Sequence, residues 1–357
     1  MTARVIIVGA GIAGLAAAWS ARRAGREVTL VSAQAGATAL SGGAVDEAPW
    51  EQLLRATRLL GETTEARPLA PEVAAFVDDL QLWDVPHDRS VWLATIAGRV
   101  RPARGRDLAL LDLGPLAGQL VLLPRADRAA WDADAIAVAL SADPVAKSKG
   151  ISFRAVDAAV LRFDDERRIA DGDLALRHDE PARRAWLVDR LRSALAAHPR
   201  AGAILLGPWL GVAAPQAGEL SRTLGVPVGE ALAGAGSPAG MRFEAARDAL
   251  LERLGVHRRR GRVDEVQRGE QGLEVFLSGQ TASQRADAVV LAIGGLAGGG
   301  VLYAPPEHEA GADLAPRGRV PFALSLRAPV VLSLGAPRAW RSWPRCTAPS
   351  STSPRGR

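Results

Sequence analysis

The strongest constraint on this chain lies in its first 32 residues. Residues 5–8 (VIIV) form an apolar, largely β-branched run that suits a strand buried on both faces. The run leads directly into Gly9-Ala10-Gly11-Ile12-Ala13-Gly14, a G-x-G-x-x-G spacing. An Ala-rich helical segment follows at 15–21, with Arg22 and Arg23 in its last turn and Gly25 as its stop. A second apolar run at 28–31 closes a βαβ unit. In this context the first glycine permits a tight turn and the second lets backbone approach a pyrophosphate. The third lets the helix pack closely on the sheet. Phosphate then meets backbone N–H groups at the positive end of the helix. The sequence therefore predicts a dinucleotide or flavin-nucleotide site, the alternative being a βαβ unit that has lost its ligand. One part of the fingerprint is missing. Where an acidic residue should receive the adenosine ribose, the second strand ends in Ser32, which hydrogen-bonds a ribose more weakly than a carboxylate.

A chain of 357 residues can bury a large core and divide into two lobes. Its 48% hydrophobic and 23% charged content is ordinary for a globular protein. The net charge of +5 comes mostly from scattered arginines, with clusters at 258–260, at Arg262 and in the tail. These do not interleave with aromatic residues, so solvated surface or an acidic partner is expected rather than nucleic acid. The single cysteine, Cys346, excludes an internal disulfide, and the five histidines show no metal-ligand spacing. Residues 5–21 and 288–306 are uncharged, but their glycines and prolines make poor membrane spans. The reading is a cytoplasmic protein with no signal peptide and no transmembrane span.

Beyond the βαβ unit, residues 37–46 (ATALSGGAVD) form a loop of small and hydroxylated residues. By itself it is a surface loop. Beside a nucleotide fold it brings Ser41, Gly42 and Gly43 near a flat ring or a pyrophosphate. Helical spacing runs through 51–88, with Val73, Phe76, Val77 and Leu80 on one face. Strands are expected at 91–96, 108–111, 120–123, 152–156 and 203–206, and helices at 131–140 and 180–195. Arg99, Arg101, Asp132, His178 and Arg242 are the charged residues with possible chemistry, a solvated or structural role being the default for each. A helix opens at 237–242 (SPAGMR). A hairpin at 262–277 and a buried strand at 286–293, ending in Gly294 and Gly295, then return the chain to the nucleotide sheet. The tail from 336 is rich in Pro, Ser and Arg without periodicity and reads as disordered or aberrant.

Four segments carry a family likeness: GAGIAGLAAA at 9–18, TALSGGAVD at 38–46, SPAGMR at 237–242 and ADAVVLAIGGLAGGGVL at 286–302. They resemble the FAD-dependent oxidoreductases of the fumarate reductase and succinate dehydrogenase flavoprotein superfamily. Within it, TIAGRVRP at 95–102, PWLG at 208–211 and the non-acidic Ser32 resemble the B subunits of anaerobic glycerol-3-phosphate dehydrogenases. Two features depart from the family: Ile293 stands where it usually has Thr, and no second Gly-rich segment follows to face the flavin.

The resemblance implies an α/β fold. A Rossmann-like FAD/NAD(P)-binding domain of three ββα layers, made of 1–50 and 237–335, would carry an inserted α+β substrate or cap lobe at 51–236. It implies FAD as cofactor, with FMN as the alternative, bound by Gly9, Ala10, Gly11, Ile12, Ala13, Gly14, Ser32, Ser41, Gly42, Gly43, Val266, Ala292, Gly294 and Gly295. Arg99 and Arg242 would hold a small anionic substrate; no catalytic residue and no metal ligand is assigned. The implied function is flavin-dependent oxidation of sn-glycerol 3-phosphate beside a companion FAD subunit and an iron–sulfur subunit, peripheral to the inner face of a membrane. The alternatives are a stand-alone FAD oxidoreductase on another small substrate and a non-catalytic electron-transfer or scaffold subunit.

Overall fold

The structure is a computed structural model and describes residues 2–46, 68–270 and 272–294. Expectations for 51–67, Gly295, 330–334 and the tail lie outside these residues. Two compact units share the chain: a nucleotide unit, Met1–Ala37 with Leu251–Arg357, and an inserted unit, Thr38–Leu250.

The nucleotide unit opens with β1 (Arg4–Val8), α1 (Ile12–Arg23) and β2 (Glu27–Ser32). The inserted unit then begins with β3 (Ala44–Val45), α2 (Pro71–Leu80), β4 (Trp83–Asp84), β5 (Val91–Ala94), β6 (Val100–Ala103) and β7 (Gly105–Asp107). It continues through β8 (Leu120–Pro124), α3 (Ala133–Ala142), α4 (Pro144–Ser148), β9 (Ser152–Val156), α5 (Asp171–His178) and α6 (Pro181–Ala197). Its last elements are β10 (Ala201–Leu206), α7 (Ala217–Leu224), β11 (Val228–Glu230) and most of α8 (Pro238–Arg253). Five strands complete the nucleotide unit: β12 (His257–Arg260), β13 (Val263–Gly269), β14 (Gly272–Leu277), β15 (Gln284–Ala286) and β16 (Ala288–Leu291).

In the nucleotide unit the four strands β12-β2-β1-β16 form a parallel sheet in that order. The alternation of a strand gives each face its own partner. Ile6, Val8 and Val31 pack with Val275, Leu277 and Ala286 of the antiparallel β13-β14-β15 layer, with Val263 and Val266 alongside. Helix α1 lies against β1, β2 and β16 and buries Leu15, Ala18 and Trp19. The result is a three-layer ββα Rossmann-like architecture, as the sequence predicts. Strand β12 goes beyond that reading: its HRRR sequence is exposed at every position, so no hydrophobic alternation announces it.

The inserted unit also has a parallel sheet, ordered β9-β8-β10-β11, which the sequence did not foresee. Its core holds Val121, Leu122, Leu123, Ile204, Leu205 and Leu206, all at 1% exposure or less. Burying such a side chain stabilises by roughly 1.5–3 kcal/mol. Strand order reverses between β8 and β10, a position where open parallel sheets often admit a ligand at their carboxyl ends. Here two tryptophans fill it. Trp131 donates its indole N–H to the Pro124 carbonyl at 2.8 Å and meets Trp209 edge-on, with ring centroids 5.6 Å apart. Both are almost fully buried. The stretch 108–111, expected as a strand, is instead the turn after β7, where Asp107 accepts from the Ala109 N–H and only isolated bridges form.

Candidate nucleotide site

The site in the nucleotide unit is built from the turn between β1 and α1. Gly9 has φ +110°, and a Cβ there would fall 2.1 Å from the Ala292 carbonyl oxygen. Only glycine lets the turn leave β1 beneath the segment that follows β16. A Cβ on Gly14 would meet the Gly9 carbonyl oxygen at 1.9 Å, so the first turn of α1 is pressed onto the turn that precedes it. Two hydrogen bonds fix the turn, from Gly9 N–H to Val31 O at 2.8 Å and from Ala292 N–H to Val8 O at 2.8 Å. Helix α1 begins at Ile12 with Gly11 as N-cap. No side chain caps it and no acidic residue stands in its first turn.

That arrangement fits a pyrophosphate. A helix N-terminus without side-chain cap or acidic residue supplies N–H donors and a positive dipole end. A third glycine, not singled out by the sequence, narrows the cradle from the other side. A Cβ on Gly36 would lie 2.8 Å from the Gly11 Cα, so the chain after β2 passes directly over the Gly-rich turn. Gly36 sits in a run of small residues, and nothing in that run distinguishes it from a flexible loop.

The nucleotide unit brings together Gly9 to Gly14, Ser32, Ala292 and Gly294, the last exposed and with φ +79°. Val266 lies on β13 opposite Val275 and packs into the layer beneath the parallel sheet. Gly295 lies outside the described residues. Ser41, Gly42 and Gly43 belong to the inserted unit, where their loop is held tightly. The Ser41 hydroxyl accepts from Gly43 N–H at 3.1 Å, and its carbonyl accepts from the Ser237 hydroxyl at 3.3 Å. A Cβ on Gly42 would meet the Ala233 carbonyl oxygen at 2.1 Å. At the start of α8, a Cβ on Gly240 would meet the Ala39 carbonyl oxygen at 1.8 Å. This is a clamped loop rather than a loose one.

The two arginines assigned to substrate have different surroundings, both in the inserted unit. Arg99 is exposed in the turn between β5 and β6. Arg242 is not open to a ligand from solvent. Its guanidinium is buried and donates to both oxygens of Asp107 at 3.1 and 3.0 Å, to Glu230 at 2.7 Å and to the Gly211 carbonyl at 2.7 Å. Burial opposes its charge, but the two carboxylates hold it protonated above the usual arginine range. Burial also pushes the Glu230 carboxyl up, against the pull of Arg242. Arg242 thus ties β7, β11 and α8 together, and the sequence could not show that its partners are Asp107 and Glu230.

His178, another of the charged residues noted in the sequence, is fully buried at the end of α5, and neither ring nitrogen has a partner of good geometry. Burial, followed by the Arg183 charge, pushes it down to about 4, so it is neutral at physiological pH. Beside it Glu166 accepts from Arg183 at 2.9 Å and Arg177 at 3.2 Å. Among the described residues no group of His, Cys, Asp and Glu could hold a metal, and no helix is long and apolar enough to cross a membrane.

Comparison with solved structures finds distant overlaps. An iminodiacetate oxidase from Chelativorans sp. BNC1 is 14% identical with a TM-score of 0.28, the overlap covering 81% of this chain and 54% of that one. A 3-ketosteroid Δ1-dehydrogenase from Sterolibacterium denitrificans is 17% identical with a TM-score of 0.31, covering 82% and 47%. A putrescine oxidase bound to putrescine is 17% identical with a TM-score of 0.25, covering 82% and 58%. The chain therefore spans about half the length of these structures, and the fold assignment rests on its own strand order. No curated protein matches the sequence. Residues 4–140, which include the Gly9–Gly14 turn, match the model of the FAD binding domain, and that match supports FAD as the cofactor.

Proposed function

We propose that this chain is a flavin-dependent oxidoreductase whose substrate is a small anionic hydroxy compound, sn-glycerol 3-phosphate being the first candidate. The observation that carries the reading is the FAD-type cradle made by Gly9, Gly14 and Gly36 around the N-terminus of α1, within the segment that matches an FAD binding domain. Bound FAD supplies a two-electron acceptor for hydride. The residues of this chain supply position. Gly9, Gly11 and Gly14 let backbone N–H groups face the pyrophosphate, and Ser32 stands at the adenosine end. The Ser41–Gly43 loop is the further contact expected from the family resemblance. Arg99 is the cation proposed for the substrate phosphate. Arg242 serves structure instead, holding the inserted unit in shape with Asp107 and Glu230. The discontinuous nucleotide domain with an inserted substrate lobe belongs to the same proposal. So does work beside a companion FAD subunit and an iron–sulfur subunit at the inner face of a membrane.

The test uses the full chain. A visible absorption spectrum and mass identification of the released flavin come first, followed by anaerobic addition of sn-glycerol 3-phosphate or of uncharged glycerol. Released FAD and bleaching by the phosphate ester alone are expected. Released FMN would overturn the dinucleotide assignment. FAD that no hydroxy compound reduces, with or without an iron–sulfur partner, would overturn this substrate class and leave the two alternatives, an oxidoreductase of another small substrate and a non-catalytic subunit.

A further inference from the structure

The adenosine end of the nucleotide site has the wrong polarity for an ordinary ribose contact. A carboxylate at the end of β2 accepts hydrogen bonds from the ribose hydroxyls and repels any further phosphate. This chain has Ser32 there, and the neighbouring strand brings a cation to the same place. Strand β12 runs parallel to β2 with Arg260 directly opposite Ser32, and Gly261 N–H donates to the Ser32 carbonyl at 3.0 Å. Neighbouring strands lie about 4.8 Å apart, so Arg260 reaches whatever group Ser32 faces. In a parallel sheet all carboxyl ends share one edge, the edge at which the Gly9–Gly14 turn leaves β1.

The arginines of this edge are not equivalent. Arg259 donates to the Gln280 side chain at 2.5 Å, and Arg262 faces Asp264 at 3.5 Å. Arg260 is exposed, and no acceptor among the described residues takes its guanidinium. An edge strand does not need three successive arginines to stay soluble, and the arginine placed at the ribose position is the one whose charge is unspent. We propose that Arg260, with Ser32 beside it, is the specificity-determining contact for the adenosine ribose. Its polarity makes this end of the site accept a ribose that carries a 2′-phosphate. The proposal rests on the FAD-site reading and extends it, since it identifies how the site ranks adenine nucleotides.

The test measures binding of adenosine 2′,5′-bisphosphate, 5′-AMP, FAD and FMN to the full chain and to its R260E and R260A variants. A charge-assisted hydrogen bond from Arg260 to the 2′-phosphate predicts about tenfold tighter binding of the bisphosphate than of 5′-AMP, which differs from it by that phosphate alone, by the wild type. R260A should abolish that preference and R260E should reverse it, while FMN, which has no adenosine, binds all three alike. Equal affinities in the wild type, or a preference that survives R260E, would overturn the proposal while FAD binding left the cofactor reading intact. A chain that binds neither FAD nor either fragment would overturn both. Matching melting temperatures for the three proteins, expected for an exposed position, separate a lost contact from a lost fold.

Discussion

Acidification should destabilise this protein through one buried histidine. His178 is fully buried and its ring nitrogens have no good partner, so the neutral imidazole is the form the fold accepts. Its folded value is about 4 against 6.5 for the free side chain, burial being the first cause and Arg183 the second. The sign follows directly. Below pH 6.5 the unfolded chain takes up a proton that the folded chain refuses, so stability falls as pH drops from 6.5 towards 4 and is complete above that range. The full difference is worth about 3 kcal/mol, of which about 2 kcal/mol is already lost at pH 5. The assay is urea unfolding at pH 7 and pH 5, followed by tryptophan fluorescence, with Trp131 and Trp209 in the same core as reporters. The comparison is the wild type against His178→Leu, whose pH slope lacks this proton. The carboxylates, Glu166 among them, titrate in both proteins and cancel. The reasoning is refuted if both proteins lose the same stability between pH 7 and 5.

Other outcomes test other parts of the molecule. Gly9→Ala should strip the flavin and lower the melting temperature, because its Cβ would fall 2.1 Å from the Ala292 carbonyl oxygen at a φ of +110°. Gly25→Ala has φ +71° but open space around it, so it should cost about 1 kcal/mol and keep the flavin. Retention of flavin, read from the absorption of the purified proteins, separates the two. Arg242→Met leaves Asp107 and Glu230 buried without their cation and should cost about 3–5 kcal/mol in urea unfolding. Adding Asp107→Asn and Glu230→Gln to Arg242→Met should restore part of that loss; no recovery would mean that packing, not charge, sets the cost.

The nucleotide unit was legible in sequence where local pattern and tertiary role agree. The strand at 5–8, the glycine spacing and the Ala-rich helix fall where β1, the turn and α1 lie, because each is fixed by burial on both faces or by a turn that only glycine makes. Strand β12 was invisible because its four side chains are exposed and its sheet membership comes from pairing with β2 far along the chain. Gly36 is not legible in sequence for a related reason: its constraint is the nearness of Gly11, which no window around residue 36 contains. The sequence leaves Arg242 between a solvated, a structural and a substrate-holding role because its two acidic partners stand on strands remote in sequence. The parallel order of the inserted sheet was equally hidden. Runs such as 120–123 and 203–206 announce buried strands but not their neighbours.

The closure of the Ala39 carbonyl against Gly240 has a kinetic consequence. The nucleotide sheet needs β12 and β16 to find β2 and β1 across the whole inserted segment, a pairing of high contact order that is slow for an open chain. The inserted unit has its own core, so it can fold first, and its two ends then meet where Gly240 abuts Ala39. A folded insert of this kind is a chain shortcut. Cutting the effective loop tenfold removes about 2 kcal/mol of closure entropy from the later search. Amide protection that appeared between β2 and β12 before it appeared between β8 and β10 would contradict this order. Seen as a folding problem, the interruption of the nucleotide domain is the device that returns its two halves to each other.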